Sequence, residues 1–241
     1  MIHSKYLAAT SGGLQIPPAI STTPSEVVSL TEPSEILDLL FRFVHPRSEA
    51  DNFRQSSVMN MASDTFFPLA EAAEKYQVFG AINTCFTRLD QLIKQHPIEV
   101  LNHSHRHGYL DIADQAAIET IALPLDKITK GLTHPGLLQQ WLLHYIHWRN
   151  LAAFGSTLLD DCPSPTNGCT VWPKIKTNYF TAVMGNLWGN DFVLDCHQQP
   201  CTAREPYGHR DVCRCSNNIQ EAQKKITLEK LNIPNFRSIN I

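Results

Sequence analysis

No stretch of this sequence approaches the roughly 18 to 20 consecutive apolar residues that a membrane helix needs. The opening residues Met1, Ile2, His3, Ser4, Lys5 and Tyr6 carry no signal-peptide apolar run either. An intracellular chain, cytoplasmic or nuclear, is expected, with no membrane partner. Clusters of basic residues are also missing. The 20 lysines and arginines stand against 23 acidic residues and are spread along the chain, for a formal charge of -3. That leaves no electrostatic footprint for a phosphate backbone, so nucleic acid is not the expected partner. Nucleotide-binding, hydrolase and zinc-protease readings lose their anchors as well: there is no Gly-x-Gly-x-x-Gly, no Walker loop, no Gly-x-Ser-x-Gly and no His-Glu-x-x-His. The expectation is a chain that is not an enzyme.

What is present is enough to fold. The 241 residues are 43% apolar and 18% charged, ordinary for a globular protein and far from the composition of disorder. Residues 10–25 are rich in Thr, Ser, Gly and Pro and read as turn and loop, leading to a short β-prone run at Val27, Val28, Ser29 and Leu30. From Glu32 the pattern is helical, with Pro33 in the first turn, Ile36, Leu37, Leu40, Phe41 and Val44 on one stripe and Pro46 as the stop.

Further helices are predicted in sequence. One is capped by Asp64 and carries Leu69, Ala72, Ala73 and Tyr76. Its hairpin neighbour, Val78 to Lys94, carries Ile82, Cys85, Phe86, Leu89 and Ile93. Pro97 to His107, ended by Gly108, comes next, then Asp111 to Ala122, Leu125 to Lys130 and Pro135 to about Phe154. The last is lined by Leu138, Trp141, Leu142, Tyr145 and Trp148, a stripe read as core packing ahead of a partner surface. A closing helix is predicted from Asn218 to about Leu231, with Asn217 as its cap and Ile219, Ala222 and Ile226 inside. The turn-rich run Asp160 to Gly168 marks a boundary. It divides a domain over residues 1–155 from a Cys-rich C-terminal region over 156–241.

Leu69-Ala70-Glu71-Ala72-Ala73-Glu74-Lys75-Tyr76, with Cys85 one helix later, resembles the signature of the BTB/POZ domain in the form found in fungal BTB-domain proteins. His3-Ser4-Lys5-Tyr6-Leu7 resembles the His-x-x-x-Leu start of the first BTB helix, and Val27 to Glu32 the strand before the third helix. The likeness continues through Ala113-Asp114 and Leu123-Pro124-Leu125, covering about residues 2–150. It implies an α+β, mainly α fold: a BTB-like helical domain with a remnant small sheet, followed by the Cys-rich region and its helix. It also implies protein-protein interaction, as homo-oligomeriser or as adaptor for a cullin-type ubiquitin ligase. The chain departs from the family where two strands would precede the His-x-x-x-Leu helix. Those strands help build the family's homodimer, so homodimerisation stays open.

Candidate chemistry is thin in the first region. Cys85 lies on an apolar helix face and reads as a buried, inert thiol, and Asp160 and Asp161 read as a solvated turn. His103, His105 and His107 crowd the end of one helix. Residues 103 and 107 share a face at the spacing of two imidazole ligands, but complementing the helix dipole is the preferred reading. His144 and His147 read as surface beside the Trp stripe. Six of the seven cysteines fall between Cys162 and Cys215. Cys162, Cys169, Cys213 and Cys215 are the first-choice ligands for a structural zinc, with Cys201 and His209 as substitutes, although their spacings are unlike a usual zinc knuckle. A second reading makes this tail a zinc-stabilised binding module that carries recognition itself.

Overall fold

Apolar residues three and four apart become helix in nearly every segment where that spacing was read. The computed structural model describes residues 4–14, 29–45, 54–159, 172–187 and 215–239. They form α1 (Ser4–Thr10), α2 (Ser34–Phe41), α3 (Ser63–Lys75), α4 (Phe79–Leu92), α5 (Pro97–His107), α6 (Leu110–Thr120), α7 (Leu125–Gly131), α8 (Pro135–Thr157), α9 (Trp172–Asn186) and α10 (Cys215–Leu231), followed by a 3-10 turn, Phe236–Ser238. The fold is mainly α. Among the described residues the only β pairing is an isolated antiparallel bridge between Ser11 and Val78. Val27 and Val28 of the expected strand lie outside the described residues, and residues 29–32 are not strand. No helix among the described residues is long and apolar enough to cross a membrane. The chain divides into two compact units, Met1–Ile112 and Ala113–Ile241, while the turn-rich 160–168 run lies outside the described residues.

The first unit is built around α3, which packs against α2, α4 and α5. Its inward face is Phe66, Leu69, Ala70, Ala72 and Ala73, and the small alanines let neighbouring helices approach closely while each buried Leu or Phe contributes roughly 1.5–3 kcal/mol. Ile36 and Leu40 of α2, Cys85 and Leu89 of α4, and Val100 and Leu101 of α5 fill the rest of the core. Phe86, expected inside, is exposed on α4. Asp64 is not the cap of α3. Ala62 holds that position without a side-chain hydrogen bond, and Asp64 sits in the first turn, where its charge complements the helix dipole. The chain before α3 is held by Arg88, which donates to the Met61 carbonyl and lies over the Phe66 ring. At the other end, the N–H groups of Gly12 and Gly13 donate to the carbonyls of Gln77 and Tyr76, each at 3.0 Å, tying α1 to the α3–α4 turn.

The second unit surrounds α8, whose inner residues include Leu137, Trp141, Trp148 and Leu151. The Trp141 indole donates to Thr120 Oγ1 at 2.7 Å. Gly155 lets α9 and α10 come close: a Cβ there would meet Val183 Cγ1 at 3.1 Å and Ile226 Cδ1 at 3.2 Å. The Tyr179 hydroxyl donates to the Gly155 carbonyl at 2.7 Å. The sequence reading did not anticipate α9, which buries Trp172, Ile175, Tyr179 and Val183, a stripe of helical spacing in a region read only as Cys-rich. α10 buries Ile219, Ala222 and Ile226 as expected, but it begins at Cys215, ahead of the Asn217 cap that was predicted.

Candidate functional site

Two places gather chemistry, one in each unit. In the first, α5 starts at Pro97 and ends at Gly108, whose φ of 77° only glycine adopts without strain. This fixes the last turn of α5 and the two histidines on its inner side. His103 is 3% exposed and His107 is partly buried. Glu71 of α3 reaches both: its Oε1 lies 2.8 Å from His103 Nδ1 and its Oε2 lies 3.1 Å from His107 Nε2. Arg106 Nη1 also donates to Oε2 at 2.8 Å.

Burial pushes the Glu71 carboxyl upward, but the hydrogen bonds from His103, His107 and Arg106 outweigh it and hold the group at about 2. It is therefore an ionised acceptor. It follows that His103 Nδ1 and His107 Nε2 both carry hydrogens here. One turn along α3, Glu74 accepts from the Tyr109 hydroxyl, and burial together with that carboxylate pushes the phenol pKa up. The helix-end histidines are thus not merely solvated partners of a dipole. Two of the three are pinned by a carboxylate 32 and 36 residues away in sequence, a pairing that no local pattern could show.

In the second unit, a cavity of about 360 Å³ is lined by Asp114, His144, Trp148, Lys230, Pro234 and Phe236 among others. His144, read from sequence as surface, is buried to 2% exposure, while His147 stays exposed. The inward placement follows from register, since residue 144 lies one turn from each of Gln140 and Trp148 on the inner side of α8. Asp114 is already engaged, accepting from the Arg237 main-chain N–H and lying 2.8 Å from its Nε. Burial pulls the Lys230 ammonium pKa down, and its Nζ sits 5.6 Å from the Trp148 ring centre.

The outward side of α8 is unusual in another way. Leu142, Leu143, Ile146 and Phe154 are all exposed, Ile146 to 50%. The predicted stripe therefore splits: Trp141 and Trp148 go to the core, Tyr145 is half-buried, and Leu142 belongs to the exposed face.

Of the proposed zinc ligands, Cys162, Cys169 and Cys213 lie outside the described residues, as do the substitutes Cys201 and His209. Cys215 opens α10 with its backbone alone described. Asp160 and Asp161 lie outside as well. Cys85 is 2% exposed, and burial, aided by Glu74, pushes its thiol up to about 12. No protein-family model matches this sequence, and no curated protein or solved structure is similar to it.

Proposed function

We propose that this chain is a non-enzymatic protein-interaction protein of BTB/POZ kind that associates with itself or with a partner through the outer face of α8. The observation that carries the reading is the row of exposed Leu142, Leu143, Ile146 and Phe154 on a 23-residue helix whose opposite side is already core. Scattered single leucines on a surface need no explanation, but Leu142, Leu143 and Ile146 clustered on one face, with Phe154 two turns further along it, mark a surface for another protein to cover. The α3–α4 hairpin, with Tyr76 at its turn and Cys85 inside, supports the BTB-like reading of the first unit. In that reading the partner is a second copy of the chain or a component of a cullin-type ligase.

Sedimentation velocity of the full chain, beside Leu143→Glu and Ile146→Glu, tests this. A concentration-dependent wild-type assembly that both variants dissolve, with helical circular dichroism unchanged, supports self-association. If wild type is a monomer, a photo-crosslinker at position 146 should capture a protein that Leu143→Glu no longer yields. A monomer with no crosslinked product, or variants that unfold, overturns the reading and assigns the face to packing within the chain.

A further inference from the structure

Glu71, His103 and His107 come from two helices and place one ligand atom each within 4.8 Å of the others. His103 and His107 stand one turn apart on α5, with ring centres 4.6 Å apart, the arrangement by which a helix offers two imidazoles to one ion. The carboxylate arrives from α3. Two nitrogens and one oxygen are the donor set that zinc-class divalent cations prefer. Bond lengths of about 2.0–2.2 Å put ligand atoms roughly 3.4 Å apart around a tetrahedral ion. The observed separations, 2.8 Å from Oε1 to His103 Nδ1 and 3.1 Å from Oε2 to His107 Nε2, are those of hydrogen bonds, and a turn of the carboxylate that brings one oxygen between the two nitrogens would meet the wider spacing, the three ligand atoms already lying within 4.8 Å. His103 is buried and fixed, while Glu71 remains 35% exposed and His107 18% exposed. One ligand is therefore preorganised and the other two face the route by which an ion would arrive.

We propose that Glu71, His103 and His107 form a three-ligand site for a zinc-class divalent cation, with a fourth position left to water. The proposal is independent of the interaction surface on α8. On binding, His103 Nδ1 and His107 Nε2 each exchange a hydrogen for the metal, and each ring carries its hydrogen on the other nitrogen instead. Neutral rings thus release no net proton. Arg106 is the opposing group. Its guanidinium lies 2.8 Å from Glu71 Oε2 and its side chain is 53% exposed, so it competes with the ion for the same carboxylate and can swing into solvent when the ion arrives.

The test is equilibrium dialysis of the full chain against Co²⁺ and Zn²⁺, with metal counted per chain and the cobalt spectrum recorded. Thiolate ligation by the cysteines gives intense ligand-to-metal bands. The site proposed here gives only weak d–d absorption, so the two are separable on one sample. Expected is one equivalent held without thiolate bands in wild type, its affinity falling by more than about tenfold in Glu71→Gln and in His107→Ala. Arg106→Gln should bind several-fold more tightly, which loss of a merely structural clamp does not produce. Circular dichroism identifies any variant that fails to fold, and Arg106→Gln alters no ligand. Wild-type uptake confined to thiolate bands, or equal affinity in all four proteins, overturns the site and leaves an ion-pair clamp between α3 and α5.

Discussion

Trp148 donates its indole N–H to Nε2 of His144, one turn earlier on α8, at 3.0 Å. An indole can only donate, so Nε2 must be the acceptor, and a neutral His144 then carries its hydrogen on Nδ1. That Nδ1 is buried with no hydrogen-bond partner among the described residues. The ring also packs against Phe236, centre to centre 5.6 Å. Burial, with a smaller contribution from the charge of His147, lowers its pKa from 6.5 to about 4.

A pH dependence follows. Between those values the unfolded chain takes up a proton at residue 144 and the folded chain does not, so stability falls as the pH drops. The contribution is fully present above pH 6.5 and is lost on the way down to about pH 4. The size is on the order of 3 kcal/mol. Urea midpoints across that range should show the slope, and His144→Gln should flatten it. A slope unchanged in the variant assigns the pH dependence to other groups.

Gln140 holds the C-terminal segment against α8. Its Nε2 donates to the carbonyls of Phe236 at 2.9 Å and Ile239 at 3.1 Å. Gln140→Leu keeps the bulk but strands the Ile239 carbonyl, which costs about 1–3 kcal/mol when buried without a partner, whereas the Phe236 carbonyl keeps the Ile239 N–H at 3.2 Å. Chemical denaturation should report a loss of about 1–3 kcal/mol, with proteolysis near residue 236 appearing first. Protection equal to wild type would show that the segment is held by Phe236 packing alone.

Gly155 separates two opposing effects. Alanine there gains about 1 kcal/mol of helix propensity, and its Cβ would press on the stiff, buried Val183 at 3.1 Å and on the more adaptable end of Ile226 at 3.2 Å. Gly155→Ala should therefore stay within about 1 kcal/mol of wild type. Gly155→Leu has nowhere to go and should cost about 3 kcal/mol. Thermal unfolding of both variants measures the difference, and equal melting points would mean that α9 and α10 move apart freely.

Cys85, buried with its thiol at about 12, should be alkylated no faster than its surroundings open, since the thiolate is the reactive form. Peptide mapping after timed alkylation of the native chain gives its rate apart from the other six cysteines. Rapid labelling at neutral pH would mean that α4 exposes this side in solution.

How far the sequence reached depends on the range of each interaction. Helix spacing is local, so Leu69, Ala72, Ala73 and Tyr76 announced α3, and Pro97 with Gly108 bracketed α5 to the residue. α9 carries the same local signal in Trp172, Ile175, Tyr179 and Val183, but it lies between cysteine- and turn-rich stretches whose composition masks the period. Asp64 shows the limit of cap reading: a good capping residue two positions from the boundary still sits inside the helix when the preceding chain is anchored elsewhere, here through Arg88 and Met61. The candidate site was half legible. The spacing of His103 and His107 was visible, but Glu71 joins them only because α3 and α5 pack together. The burial of His144 was likewise decided by which side of α8 the core occupies.

The backbone latch at Gly13 leaves a mark on what the sequence can become. A Cβ there would stand 2.9 Å from the main-chain carbonyl of Tyr76, whereas at Gly185 it would meet nothing within 4 Å among the described residues. The two glycines look alike in composition, yet among the described residues position 185 has room for a side chain and position 13 has none. A side chain at residue 13 would push the Tyr76 carbonyl away and leave the first helix held through the Gly12-to-Gln77 bond.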